Sequence, residues 1–63
     1  MKADRKKLQL AMARACMESR DLPEAAKMPR PTVRNVITGR SVRPATLGRI
    51  AKALNCDVAD IME

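Results

Sequence analysis

The residues with the clearest chemical potential lie close together in the middle of the chain. Arg34 and Asn35 are adjacent, and Arg30 precedes them by one helical turn. The forked guanidinium of arginine matches the acceptor pair on the major-groove edge of guanine, and the amide of asparagine matches the edge of adenine. The stretch therefore suggests contacts with DNA bases, although arginine and asparagine are also common on solvated helix faces that bind nothing.

These side chains share one face of a predicted helix that runs from residue 30 to about residue 38. At about 100° per residue, Val33, Val36 and Ile37 form its inward face. Gly39 stands where a helix end favours a residue in the left-handed conformation. Arg30 projects forward from the amino-terminal end. The outward face carries these four residues: Pro31, Arg34, Asn35 and Thr38.

Two further helices are predicted before this one. The first spans residues 4–18, with Asp4 as its N-cap. The second begins at Asp21, with Glu24 completing a capping box, or earlier at Ser19, and it ends near residue 27.

Two more helices are predicted towards the carboxyl terminus. Pro44 suits the first turn of a fourth helix that ends at Asn55, and Asp57 with Asp60 predicts the cap of a short fifth helix. No segment alternates apolar and polar residues as a strand would. The sequence thus predicts an all-α fold, a compact bundle of five short helices in a single domain over residues 1–63. The predicted core consists of Leu8, Met12, Leu22, Met28, Val33, Val36, Ile37, Leu47, Ile50, Leu54, Val58 and Ile61.

Positive charge is concentrated in the middle of the chain. The formal net charge is +6, and no acidic residue occurs between Ala25 and Cys56. Such segregation is expected of a surface that binds nucleic acid. A second basic cluster near the amino terminus is either solvated or adds phosphate affinity. The basic residues of the middle segment are Lys27, Arg30, Arg34, Arg40, Arg43, Arg49 and Lys52, and those of the amino-terminal cluster are Lys2, Arg5, Lys6 and Lys7.

The composition argues against several other functions. The chain has no histidine and no aromatic residue, so we expect no enzyme activity, no metal site, no cofactor and no stacking of single-stranded bases. Cys16 and Cys56 form no C-x-x-C pair and are predicted to be small buried hydrophobic residues. No apolar run is long enough to cross a membrane, and we expect a cytoplasmic protein.

Several blocks of the sequence, in order and with matching spacing, resemble the Cro/C1-type helix-turn-helix family of phage repressors and related bacterial regulators. The blocks are Leu22-x-x-x-Ala26-x-Met28, Thr32-Val33-x-x-Val36, Gly39, Arg43-Pro44-x-Thr46-Leu47-x-x-Ile50-Ala51-x-Ala53-Leu54 and Asp57-Val58-x-x-Ile61.

The resemblance implies a lambda-repressor-like fold and a small transcriptional regulator, in particular a repressor, whose third helix enters the major groove of double-stranded DNA. The residues implied to face bases are Arg30, Pro31, Arg34 and Asn35. The residues expected near phosphates are Ser19, Thr32, Thr38, Arg40, Ser41 and Arg43. We also expect a monomer that pairs as a homodimer on DNA. A protein-interaction role, such as the antitoxin partner of a toxin, is compatible with the same fold.

The sequence departs from the family pattern in the helix-turn-helix. Ser19 stands where the family often has glutamine, and Pro23 where a small residue is usual. Lys27 replaces a frequent turn glycine, so this lysine must adopt a positive φ or the turn must differ. Pro31 has no donor and could offer only an apolar contact, for example to a thymine methyl group.

Overall fold

The computed structural model describes residues 1–63 and consists of four α-helices and two single turns of 3₁₀-helix. In chain order these are α1 (Arg5–Arg14), η1 (Ser19–Asp21), α2 (Leu22–Ala26), α3 (Arg30–Ile37), α4 (Pro44–Ala53) and η2 (Val58–Asp60). The predicted all-α fold is confirmed. The predicted fifth helix is only the turn η2, which the paired aspartates cap but which does not continue into an α-helix.

All four α-helices end in the same backbone arrangement, a Schellman motif. In α1, the N–H of Cys16 donates to Ala13 O at 3.1 Å, and that of Met17 donates to Met12 O at 2.9 Å. The equivalent bonds close α2, α3 and α4. Each motif needs a left-handed residue just beyond the helix. These residues are Cys16 (φ 56°), Lys27 (φ 54°), Gly39 (φ 82°) and Asn55 (φ 55°).

The first helix is shorter than the predicted span of residues 4–18, and this prediction was wrong at the carboxyl end. The left-handed conformation of Cys16 ends α1 and turns the chain towards η1. The turn leaves Cys16 exposed, which contradicts its predicted burial, and brings Met17 against the core. Cys56 is half-buried and packs against the core.

Capping was predicted correctly at two helices and wrongly at one. Asp4 accepts a hydrogen bond from the N–H of Lys7 at 3.0 Å, as expected. Asp57 accepts from the N–H of Ala59 at 3.2 Å. Asp21 does not form a capping box with Glu24, because it lies in η1 and its carboxylate accepts from the N–H of Glu18 at 2.9 Å. The second helical segment therefore begins at Ser19, close to the alternative start, but its N-cap is Glu18 and not Ser19.

The core contains 14 buried residues and no buried polar side chain. It includes ten of the predicted residues, while Ile37 and Val58 are half-buried and pack against its edge. Helix α2 packs on α4, and η2 packs on both α4 and α1. The buried residues are Ala3, Leu8, Ala11, Met12, Leu22, Ala26, Met28, Val33, Val36, Leu47, Ile50, Ala51, Leu54 and Ile61.

The first four residues form an extended segment that the sequence did not predict. Ala3 is buried and pairs with Met62 in an isolated antiparallel bridge. Next to it, the N–H of Asp4 donates to Ile61 O at 2.8 Å. On the other side, the N–H of Val42 donates to Met1 O at 2.7 Å. The segment thus joins the carboxyl-terminal residues to the loop between α3 and α4.

Candidate nucleic-acid interface

The turn between α2 and α3 fixes the orientation of α3. Lys27 adopts the left-handed conformation, and the N–H of Met28 donates to Pro23 O at 2.9 Å. Met28 is buried, so the turn is anchored in the core. Since Val33 and Val36 are also buried, the opposite side of α3 must face solvent.

The outward face of α3 carries unpaired polar groups. Arg30, Pro31 and Arg34 are exposed, and Asn35 is half-buried. Within the chain, neither guanidinium nor the side-chain amide of Asn35 makes a hydrogen bond or ion pair. Their donors are therefore available to a ligand, and no internal bond would be broken on binding.

One flank of α3 is bordered by an open groove of about 570 Å³ between this helix and the start of α2. Its apolar lining includes Val33 and Ile37, which explains why Ile37 is only half-buried. The groove brings together four of the predicted site residues: Ser19, Arg30, Arg34 and Thr38.

The other flank is bordered by a smaller cleft of about 300 Å³, which we call the α4 cleft. It is lined by Met28, Pro29, Thr32, Arg43, Ala45, Thr46 and Arg49. Thr32 and Arg43, both predicted phosphate contacts, therefore lie together here. Both guanidinium groups of the cleft are free of ion pairs, because the one ion pair in the structure joins Arg20 to Glu18 at 3.1 Å.

Comparison with protein families matches residues 7–63 to the Cro/C1-type HTH DNA-binding domain. This chain belongs to that family. The match covers all four α-helices apart from the first two residues of α1. Comparisons with curated proteins and with solved structures gave no match. In this Cro/C1-type domain, α2 and α3 form the helix-turn-helix, and the chain is a DNA-binding domain of the kind that regulates transcription.

The loop after the helix-turn-helix presents the remaining predicted phosphate contacts. Arg40, Ser41 and Arg43 are exposed. Val42 between them is held by Met1 through two hydrogen bonds, of 2.7 Å and 2.8 Å. The loop of this Cro/C1-type domain is therefore tied to the amino-terminal segment on one side and to α4 on the other.

Thr38 differs from the other predicted phosphate contacts in having its hydroxyl group engaged. The hydroxyl donates to Arg34 O at 2.8 Å and also lies 3.3 Å from Asn35 O. Only its oxygen lone pairs are free, and these repel a phosphate. A phosphate contact by Thr38 requires the hydroxyl to rotate away from the helix backbone.

The fold places residues of the amino-terminal basic cluster beside different parts of the molecule. Arg5 lies beside the end of α3, where a Cβ atom at residue 39 would be 3.9 Å from its Cγ and Cδ atoms. Lys7 instead reaches the carbonyl oxygen of Met62 at 3.4 Å. Arg5 thus adds charge next to the helix-turn-helix, whereas Lys7 is held at the carboxyl-terminal segment.

Sequence reasoning did not assign a role to Arg49, which lines the α4 cleft, or to Arg20 and Pro23, which line the groove. Arg49 belongs to the stretch without acidic residues, and that charge pattern was the available signal. Arg49 lies on α4, 17 residues after Thr32. Helical periodicity could not predict that these two side chains, which lie on different helices, come together.

No helix is long and apolar enough to span a membrane.

Cys56 lies beside the carboxyl end of α4, where burial and the nearby carboxylates of Asp60 and Asp57 raise the pKa of its thiol, against a smaller opposing effect of Arg14. The raised pKa makes Cys56 a weaker nucleophile at neutral pH.

Proposed function

We propose that this Cro/C1-type domain binds double-stranded DNA sequence-specifically and acts as a transcriptional repressor, with α3 in the major groove. The observation that carries the proposal is the outward face of α3. The side chains of Arg34 and Asn35 form no hydrogen bond or ion pair within the chain, and they lie between two clefts that are both lined by arginine. An α-helix fits the major groove of B-DNA, where each base pair shows a distinct pattern of donors and acceptors.

In the proposed complex the bases are contacted from the exposed side of α3. Arg34 and Asn35 supply bidentate hydrogen bonds, each worth about 1–3 kcal/mol of discrimination against a wrong base. Arg30 reaches base edges from the first turn, and Pro31 gives an apolar contact.

Phosphate contacts on both sides of α3 set its register without contributing sequence information. On one side Thr32 and Arg43 act together from the α4 cleft, joined by Arg40 and Ser41 from the loop. On the other side Ser19 marks the start of the second helical segment at the edge of the groove. Thr38 contributes after its hydroxyl rotates. In the proposed complex, these two sets of side chains contact the phosphates of the two strands that border the major groove.

The experiment that tests this proposal is selection of bound duplexes from a random-sequence pool, followed by affinity measurements at two salt concentrations. We expect a recovered motif, and we expect it as an inverted repeat with half-sites about 10 base pairs apart if two copies pair on DNA. Salt-dependent binding without a motif would contradict sequence specificity. No binding at low salt would contradict DNA binding altogether and direct attention to a protein partner.

Two variants separate base contacts from phosphate contacts. Arg34→Ala should relax the preference at one position of the selected motif and cost about 1–3 kcal/mol on that motif. Arg43→Ala should weaken binding to all sequences about equally and reduce the slope of log affinity against log salt by about 1. An unchanged motif and affinity in Arg34→Ala would show that this side chain does not contact a base.

A further inference from the structure

A third cleft of the molecule, which we call the basic cleft, lies beside the interface described so far and shares Arg49 with the α4 cleft. It lies between α2 and α4 and has a volume of about 430 Å³. Its lining consists of three cationic residues and three alanines: Lys27, Arg49, Lys52, Ala25, Ala26 and Ala53. The alanines keep the cleft open, and the three cations surround it.

The three cations of the basic cleft have no ion-pair partner inside the protein. Lys27, Arg49 and Lys52 are exposed, and none of them forms an ion pair. No acidic residue lines the basic cleft or occurs between Ala25 and Cys56, and the carboxylates of Asp57 and Asp60 line a neighbouring cleft that includes Lys52. Cations placed together without counter-charges repel one another and do not stabilise the fold. An anionic ligand would remove this repulsion.

The basic cleft is continuous with the proposed phosphate contacts. Arg49 lines both the basic cleft and the α4 cleft, in which Thr32 and Arg43 lie. Positive groups therefore follow one another from Arg43 over Arg49 to Lys52 and Lys27, around the side of the molecule. A ligand with regularly repeated negative charges can follow such a path, whereas a single small anion would occupy only one part of it.

We propose that Lys27, Arg49 and Lys52 bind the phosphate backbone of the same DNA duplex, next to the segment that α3 contacts. This inference rests on the proposed function and extends the interface to a new surface. A nucleic-acid backbone is favoured over an acidic protein segment because Arg49 also lines the α4 cleft, so the cations of the basic cleft continue the proposed series of phosphate contacts. Phosphates repeat at regular intervals along a duplex, so one backbone can contact several cations in succession.

The test compares the salt dependence of DNA binding in two variants of equal net charge. Lys27→Gln with Lys52→Gln removes two cations from the basic cleft. Arg14→Gln with Lys7→Gln removes two from α1, where Lys7 is held at the carbonyl oxygen of Met62. The probe is a duplex of arbitrary sequence and about 30 base pairs, long enough to extend beyond a half-site. Thermal unfolding by circular dichroism verifies that both variants are folded.

Removal of one cation that binds a phosphate lowers the slope of log affinity against log salt by about 0.9. The slope should therefore fall by about 1.8 in the basic-cleft variant and by almost nothing in the α1 variant. Equal slopes in the two variants would overturn the inference while leaving the proposed function intact, provided that the wild type binds DNA. If the basic-cleft variant keeps the wild-type slope for DNA but no longer binds a polyglutamate peptide, the ligand of the basic cleft is an acidic protein segment and not the DNA backbone. Failure of the wild type to bind any duplex would overturn both proposals.

Discussion

Three residues other than glycine adopt the left-handed conformation at helix ends, where glycine is favoured. Cys16, Lys27 and Asn55 have φ values of 54–56°, and only α3 uses a glycine, Gly39, at this point. Asparagine tolerates the left-handed region because its side chain can hydrogen-bond locally, whereas the conformation costs other residues about 1–2 kcal/mol. Cys16 and Lys27 therefore hold strain that the packing of Met17 and Met28 must offset.

Replacement of Lys27 by glycine should change stability and DNA binding in opposite directions. The variant Lys27→Gly relieves the strained φ and should raise the free energy of unfolding by about 0.5–1 kcal/mol in urea titrations. Since it also removes a charge from the basic cleft, it should weaken DNA binding. Cys16→Gly is the matched control, because it relieves the same strain at an uncharged residue that does not line that cleft, and it should leave affinity unchanged. A fall in stability in both variants would show that these φ values are not strained.

The two cysteines should differ in their reactivity towards alkylating reagents. Cys16 is exposed, whereas Cys56 is half-buried and has a raised thiol pKa. Because the thiolate is the reactive form, a raised pKa lowers the reactive fraction of Cys56 at any pH below it. We expect iodoacetamide to modify Cys16 first, and the rate at Cys56 to go on rising as pH increases above the usual thiol range. Peptide mass spectrometry over a pH series measures both rates, and faster labelling of Cys56 would contradict this interpretation.

At the scale of elements, α4 supports the helix-turn-helix through its buried face. Leu47 and Ile50 are completely buried, and α2 packs directly against this helix. Sequence periodicity predicted this face, the face of α3 and the ends of both helices at Gly39 and Asn55. It failed at the end of α1, because Cys16 continues the apolar spacing although the backbone has already left the helix.

Truncation of the buried leucine on α4 should remove much of the stability of the domain. Leu47→Ala leaves a cavity and should cost about 2–5 kcal/mol, a large share of the total of about 3–9 kcal/mol expected at this chain length. Leu10→Ala is the same substitution on α1 at a side chain that is 59% exposed, and it should cost less than about 0.5 kcal/mol. Equilibrium unfolding in urea compares the two. Similar losses in both variants would contradict the observed burial of Leu47.

The amino-terminal segment connects parts of the protein that are distant in sequence. Met1 bonds with Val42, and Lys2 O accepts from the N–H of Glu63 at 2.9 Å. Backbone pairings of this kind leave no periodic pattern, so the sequence could not predict them. For the same reason, charge segregation located the candidate interface on the helix-turn-helix but could not show that Arg49 joins its α4 cleft to the basic cleft.

A substitution at Ala3 tests whether the amino-terminal segment supports the DNA interface as well as the core. Ala3 is 2% exposed, and Ala3→Gln would force a long polar side chain into a closed space, at a cost of about 1–3 kcal/mol. Displacement of the segment also releases Val42, so the loop carrying Arg43 should lose its fixed position and DNA affinity should fall at temperatures where the variant is still folded. Lys2→Arg is the control, because Lys2 is exposed and this substitution retains both its charge and the bonds formed by its backbone. Unfolding in urea and DNA titration at low temperature measure the two effects. Lower stability with wild-type affinity would show that the segment supports the core but not the loop.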